Sequence, residues 1–372
     1  MAPLAFNWAA TALGKPALPG LAGLGWFGRT HLDAWRAVRG AEVVGVCDRD
    51  PDALSIQVQS AQEHFHAEAG ASYTPGVAAG LPRHTSVDAL LASGIDLLDV
   101  VVTEDQHAQC VRAALEAGTD VVVEKPLALS LNVAMDLVQL AGRLGRRIYA
   151  GQVLRFDPRH VALAEMVRGR PLRHLSLSRH FQATAHNVYG RVHPVLNAAV
   201  HDIDLAVWLT GSAPGQVTAF ASHFLGREYP DAVDLVLEWD GGLRAVVQNS
   251  WHLTASCPYG FVFDCTVHAA DGTYVVRNEP VLQAWSADTV MSPELFFWPR
   301  LAGARSGALV AELQHFADCA ARGEASDRVP LPDVLDVMST CQAALDALDT
   351  GRPQRVVRQP ASAASCRETG GG

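Results

Sequence analysis

Basic charge is in deficit in this chain. Its 29 Lys and Arg stand against 39 Asp and Glu, a formal net charge of -10 over 372 residues. Binding a phosphate backbone needs a basic face, so no nucleic-acid partner is expected, and a cationic ligand suits the charge better. Cysteine offers no scaffold. The seven (Cys47, Cys110, Cys257, Cys265, Cys319, Cys341, Cys366) are odd in number, scattered and without a CxxC pair. That pattern fits free thiols in a reducing cytoplasm, not a disulfide frame or a zinc site. Long apolar runs are missing too. The opening MAPLAFNWAATALGKPALPG has no basic start and no run of membrane length, so neither a signal peptide nor a membrane span is expected. Residues 1–17 read as an extra arm and residues 361–372 as a flexible tail. What remains, 49% hydrophobic and 18% charged, is ordinary globular composition with enough apolar mass for two domains.

The stretch ALPGLAGLGWFGRTHLDAWRAV has the form of a short strand, a Gly-x-Gly-x-x-Gly turn and an amphipathic helix. The glycines are Gly23, Gly25 and Gly28, with Leu24, Trp26 and Phe27 between them. AEVVGVCD follows and ends in Asp48, twenty residues after Gly28. Glycines at this spacing let the backbone approach a pyrophosphate at a helix N-terminus, and the acid accepts hydrogen bonds from an adenosine ribose. Asp48 favours NAD, because a carboxylate repels a 2′-phosphate; Arg49 beside it leaves NADP open as a second cofactor. Uniformly apolar strands then alternate with helices: IDLLDVVV, a helix over 107–117, TDVVVEKPLALS and a helix over 131–144. This predicts an α/β, Rossmann-type dinucleotide-binding domain over residues 18–150, with a parallel sheet covered on both faces. Residues 52–87, with SYTPGVAAGLPRHT inside them, have no path that the pattern predicts.

HPVLNAAVHDIDLAVWLTG, residues 193–211, predicts one buried helix that starts near Pro194 and stops at Gly211. At helical spacing Asn197, His201, Asp204, Leu205 and Trp208 share a face. Such a polar stripe on an apolar helix should open on a cleft, since unpaired buried polar groups are costly. His201 is then a core histidine satisfied by partners, a proton-transfer residue or a metal ligand. His193, His201, Asp202 and Asp204 lack a zinc-type facial spacing, so no metal is expected. Lys125 reads either as a solvated lysine after a strand or as a group presented at the strand's C-terminal end, where ligands of such sheets lie.

Several motifs occur in one order: GLGWFGRTH, VCDRD, TEDQH (Thr103 to His107), EKP (Glu124, Lys125, Pro126), RFDP and the His201 helix. In this the chain resembles the Gfo/Idh/MocA oxidoreductases of sugars and cyclitols over roughly residues 18–350. The resemblance implies a second, α+β domain over residues 151–350 for substrate binding and oligomerisation, with a large, mostly antiparallel sheet. The β-rich runs LRHLSLSRHF, QVTAFASHF, AVDLVLEWD, LRAVVQNSW and FVFDCTVHA support it, with helices near 307–322 and 331–349. It also implies that Thr103, His107, Glu124, Lys125 and Pro126 join the glycine loop around the cofactor. Lys125 would lie beside the nicotinamide and His201 at the substrate oxygen, as the catalytic pair. Arg155, Tyr189 and His193 would touch substrate, Arg155 foremost because it follows the strand IYAGQVLRF. Trp251 and Trp298 either wall a sugar face or pack in the core.

Family members commonly carry an aspartate four residues before the histidine, where this chain has Asn197. An amide can orient an imidazole or a substrate but cannot stabilise an imidazolium by charge; Asp204 is the candidate to take over that role. The implied activity is NAD-dependent oxidation of a secondary hydroxyl of a sugar, aminosugar or cyclitol to a ketone. The acidic charge suits a polycationic aminoglycoside-type substrate. Ketone reduction, redox-neutral sugar chemistry and a non-catalytic dinucleotide and sugar sensor are the alternatives, the last disfavoured by the presence of both Lys125 and His201. By the same analogy an exposed sheet face implies a homodimer or homotetramer.

Overall fold

The computed structural model describes residues 16–50, 53, 78, 80–185, 189–257, 260–278, 281–285, 290–293 and 295–357. The expected tail over 361–372, nearly all of the arm and most of residues 52–87 lie outside these. Ala17, read as part of the arm, belongs to the fold: it is buried and its N–H donates to the Gly40 carbonyl at 2.9 Å.

Six short strands build the first sheet: β1 (Pro19–Ala22), β2 (Gly45–Cys47), β3 (Arg83–His84), β4 (Leu97–Val100), β5 (Asp120–Val123) and β6 (Ile148–Ala150). All pair in parallel, in the order β3-β2-β1-β4-β5-β6. β1, β4 and β5 are buried at every residue, the mark of a sheet covered on both faces by helices. Those helices are α1 (Trp26–Trp35), α2 (Val87–Leu91), α3 (His107–Glu116) and α4 (Leu131–Leu144). Strand order reverses between β1 and β4, and the crevice at such a switch point is where ligands of this architecture lie.

The strand expected to run through IYAGQVLRF stops at Ala150, and a 3₁₀ turn follows over Val153–Phe156. Helix α5 (Pro158–Val167) comes next, started by Asp157, whose carboxylate accepts the Arg159 N–H at 2.9 Å, and by Pro158 at the first helical position. The long helix expected over 194–210 is two structures. A π-turn spans Val195–Ala199 before α6 (Val200–Thr210), which ends at Gly211 with φ 74°.

The second sheet joins β7 (Leu172–Gln182), β8 (Gln216–Ser222), β9 (Ala232–Glu238), β10 (Arg244–Leu253), β11 (Phe261–Ala269), β12 (Thr273–Arg277) and β17 (Gln354–Arg355) in the order β12-β11-β7-β10-β9-β8-β17. Every neighbouring pair is antiparallel except β7 with β10. Two small hairpins lie apart from it, β13 (Ala284–Trp285) with β14 (Val290–Met291), and β15 (Arg300–Leu301) with β16 (Ala304–Arg305). Alternation along the strands turns Leu175, Leu177, Val233, Leu235, Ala245, Val247, Cys265 and Val267 inward. Against this inner face pack α6 and α8 (Leu331–Thr350); α7 (Ala308–Arg322) packs on α1, and α8 reaches α4 and β6 of the first sheet. Among the described residues no helix is long and apolar enough to cross a membrane.

Candidate active site

A cavity of about 760 Å³ runs from the C-terminal ends of the first sheet's strands to the inner face of the second sheet. At its first end the glycine turn leaves no room for side chains where chain meets chain. A Cβ on Gly23, whose φ is +98°, would lie 2.3 Å from the Val101 carbonyl oxygen, and one on Gly28 would lie 1.9 Å from that of Gly23. At Gly25 a Cβ would meet nothing within 4 Å; this position opens on the cavity. Two glycines therefore serve close backbone packing, and the third keeps clear the space a pyrophosphate needs, so the residues present fit a dinucleotide. Asp48 holds the turn in place: its Oδ2 accepts the Leu24 N–H at 2.7 Å and its Oδ1 the Asp50 N–H at 2.9 Å. Each oxygen keeps a lone pair for a ribose hydroxyl. Trp26, Phe27, Arg49 and Thr103 also border the cavity.

At the other end Lys125 follows β5, and its Nζ donates to the Asn197 carbonyl at 2.7 Å. The wider π-turn presents that carbonyl to the cleft side of the helix, where π-turns often mark functional sites. Burial lowers the Lys125 pKa below the usual lysine range, opposed by the Glu124 and Glu104 carboxylates. His201, in the first turn of α6, borders the same cavity, and its buried Nδ1 has no hydrogen-bond partner among the described residues. A core histidine satisfied by partners would not leave that nitrogen unpaired. Burial first, then the Lys125 and Arg179 charges, hold His201 well below the usual histidine range, so its ring is neutral near pH 7. Tyr189, Trp251 and Trp298 border this end, Trp298 packing on Phe27 with ring centroids 5.3 Å apart.

Several expected contacts are not brought here. Arg155 does not border the cavity; it is wholly buried and grips Asp204 through Nε (3.0 Å to Oδ2) and Nη2 (2.8 Å to Oδ1), while Nη1 reaches Asp333 at 2.8 Å. With IYAGQVLRF ending as a strand at Ala150, the guanidinium turns toward α6 and α8 instead of the cleft. The same pairing removes Asp204 as a support for His201. His193 lies away from the cleft with its ring against Tyr229, and its Nδ1 accepts the Val195 N–H at 3.2 Å. Asn197 does border the cavity, but its amide Nδ2 faces Glu104 Oε1 at 3.4 Å and the Tyr189 carbonyl at 3.5 Å, not the His201 ring. Leu24 and Pro126 are buried behind the wall. His107 touches the cavity edge while its Nδ1 donates to the Pro126 carbonyl at 2.8 Å, which staples the loop that carries Lys125.

Three charged wall residues escaped the sequence reading. Glu104 accepts Arg191 in a two-point contact, 2.9 Å from Nε and 3.1 Å from Nη2. Arg179, on β7, is buried and held by Asp202 (Nη2 to Oδ1 3.0 Å), which Asn249 also contacts at 3.0 Å. A signal for Arg179 existed: in LRHLSLSRHF it has the parity of the inward Leu175 and Leu177, and an inward arginine demands a carboxylate.

Comparison with known proteins agrees with this architecture. The family described as "Oxidoreductase family, NAD-binding Rossmann fold" (GFO_IDH_MocA) matches residues 19–152, and the "GFO/IDH/MocA C-terminal domain" matches residues 177–275. The Inositol 2-dehydrogenase 1 of Saccharopolyspora erythraea is 28% identical over 353 residues, covering 91% of this chain and 95% of that one. The crystal structure of myo-inositol 2-dehydrogenase from Lactobacillus plantarum superposes with a TM-score of 0.75 at 17% identity, over 92% of this chain and all of the other. That of GenD2 from gentamicin A biosynthesis, in complex with NAD, gives 0.76 at 18% identity, over 93% of this chain and 98% of that one. At such identities these two structures speak for the fold alone. The two family matches together span most of the chain, from the glycine cradle into the sheet that walls its far end, and the protein belongs to the Gfo/Idh/MocA family of NAD-binding oxidoreductases.

Proposed function

We propose that the protein oxidises a secondary hydroxyl of a sugar, aminosugar or cyclitol to a ketone with NAD. The observation that carries this reading is that Lys125 and His201 border the same cavity as the glycine cradle. NAD, when bound there, supplies the acceptor for the hydride that leaves the carbinol carbon. His201, neutral because its pKa is held low, takes the hydroxyl proton on an imidazole nitrogen. Lys125 donates a hydrogen bond to the same oxygen and opposes the negative charge that builds on it as the proton departs. Asn197 acts through its backbone, holding Lys125 in position with its carbonyl.

Lys125, Arg179 and Arg191 surround the reacting end, whereas Glu104 is the carboxylate on the substrate side. A neutral polyol face therefore suits the reacting carbon, and an ammonium group of an aminoglycoside-type substrate would have to share Glu104 with Arg191, which already holds both of its oxygens. The curated relative quoted above acts on inositol by its name, which supports the cyclitol class. We take residues 18–150 and 151–350 as cofactor and substrate domains of a cytoplasmic homodimer or homotetramer, joined through the outer face of the second sheet, where Phe220 and Val275 are exposed. Light scattering reads that assembly directly.

The test is NADH formation against inositols, neutral hexoses and amino-substituted sugars. Net NAD reduction is expected with one class, and Lys125→Ala should lower turnover by ~10²-fold or more while NADH still binds. Wild-type rates in that variant would dismiss Lys125. Substrate conversion without net NADH would mean redox-neutral chemistry, and binding of NAD and sugar without any conversion would mean a sensor.

A further inference from the structure

Behind the cofactor end of the cavity lies a buried ionisable cluster that the proposed chemistry does not use. His31, on α1, is 1% exposed; its Nδ1 donates to Asp99 Oδ2 on β4 at 2.9 Å, and its Nε2 stands 3.3 Å from Glu124 Oε1. The Trp35 indole N–H donates to the same Asp99 oxygen at 2.7 Å, so that carboxylate cannot swing away. Glu124 itself borders the cavity, next in sequence to Lys125, and its Oε2 accepts the Lys125 backbone N–H at 3.2 Å. Opposite it Gly151 offers no side chain: a Cβ there would lie 2.9 Å from Glu124 Oε1. The carboxylate thus meets the ring at ion-pair distance, without a hydrogen bond at Nε2 among the described residues, and the missing side chain at Gly151 leaves its Oε1 the room to do so.

We propose that His31 is a positioning residue for the cofactor end of the cavity: it bridges Asp99 to Glu124 and fixes the Glu124 carboxylate, charged, on the wall beside Lys125. Burial alone would strip His31 of its proton, but Asp99 and then Glu124 outweigh it, and its pKa is pushed up to about 10. Burial would also neutralise Glu124, yet the His31 contact, with Lys125 and His107 adding to it, brings that carboxyl below the usual range. The remaining acid of the cluster, Glu312 on α7, is pushed well above the usual range by burial and by Glu124, which favours its neutral form. Phe27, edge-on to the imidazole at 4.7 Å, completes the enclosure without charge. A fixed carboxylate at this place favours the cationic ring of NAD⁺ over the neutral ring of NADH, a preference that reads the charge of Glu124 directly.

The inference rests on cofactor binding and not on the substrate reading, so it is tested without substrate. Dissociation constants for NAD⁺ and NADH are measured by calorimetry and NADH fluorescence between about pH 5 and pH 9, and the ratio in each variant is taken relative to wild type at the same pH, so that titration of Lys125 or Glu312 common to both cancels. Glu124→Gln should shift that ratio toward NADH by about tenfold at every pH. His31→Gln should give a ratio that titrates, favouring NAD⁺ at least as strongly as wild type at high pH, where the cation beside Glu124 is gone, and falling to the Glu124→Gln value as acid protonates the unsupported carboxyl. Should His31→Gln fail to fold with Asp99 left unpaired, Asp99→Asn/His31→Gln removes both charges together and is measured instead. A level ratio in the folded His31 variant, or an unchanged ratio in Glu124→Gln, overturns the proposal. Neither result bears on whether a sugar is oxidised.

Discussion

Replacing Arg155 by methionine separates the two roles the residue could have, because the structure makes it a support and the motif made it a substrate contact. The guanidinium is fully buried, meets Asp204 through Nε and Nη2, donates from Nη1 to Asp333 and the Arg328 carbonyl, and lies 5.7 Å from the Trp208 ring centroid. Asp204 is as deeply buried, and burial pushes its carboxyl above the usual range even with Arg155 in contact. Removing one partner of such a pair leaves an uncompensated buried charge, which costs about 3–5 kcal/mol. The Asp333 contact adds little because that carboxylate is partly solvated. The expected fall in melting temperature is roughly 5 °C at neutral pH. Its sign with pH is also fixed. An Asp204 without Arg155 has a folded pKa far above its unfolded one, so the deficit is complete at high pH and shrinks as acid protonates the carboxyl. Arg155→Met/Asp204→Leu, which removes both charges, should recover most of the loss. Urea or thermal unfolding from acid to mildly alkaline pH reads all of this. A variant that melts with the wild type while its KM for substrate rises tenfold would refute the reasoning and return Arg155 to the cleft.

Two further outcomes follow from the cavity. His201 acts as a base only when neutral, and its folded pKa lies well below 6.5; kcat/KM should therefore stay level through neutrality and fall only in clearly acid buffer, and His201→Ala should lose ~10²-fold. A pH–rate profile whose acid limb sits at or above an ordinary histidine value would contradict the assigned environment. Asp48→Ala removes two backbone contacts along with the charge, so NAD affinity should drop about tenfold while NADP, no longer repelled and still near Arg49, should lose little. Titration with both cofactors checks this, and an unchanged NAD to NADP ratio would show that Asp48 does not set the choice.

Sequence pattern carried the sheets further than it carried the helix at the centre of the site. β7, β9 and β11 were legible because inward and outward residues alternate, and α4 because Ser130 precedes it and Gly145 ends it. The 193–211 stretch looked like a single α-helix because nearly every residue in it is apolar, and such a run hides a change of helical pitch. The π-turn over Val195–Ala199 alters the angle between Asn197 and His201 that a 3.6-residue wheel assumes. That is why Asn197 meets Glu104 instead of the imidazole. Asp204 misled for another reason: a polar residue on a buried face announces a partner, but an arginine 49 positions earlier in the chain leaves no local trace. Helix α5 had a readable start at Asp157 and Pro158 that the motif reading absorbed. β12, β17 and the two hairpins are short segments placed by their neighbours.

The last third of the chain closes on the nucleotide-binding half and the turn that follows it. Arg300 and Arg305 share Asp33 of α1 at 2.7 and 3.0 Å, Glu312 takes the Gln152 N–H at 2.7 Å, and the Tyr149 hydroxyl donates to the Glu324 carbonyl at 2.8 Å. The nucleotide-binding half is therefore not a transplantable module, although its strand order looks self-sufficient. A chimera cut after Ala150 would inherit a carboxylate, a phenol and the apolar flank of α4 whose complements stayed behind. Exchange of cofactor specificity between relatives of this protein has to proceed by substitutions within the glycine turn and around Asp48, or by carrying residues 297–350 along with the graft.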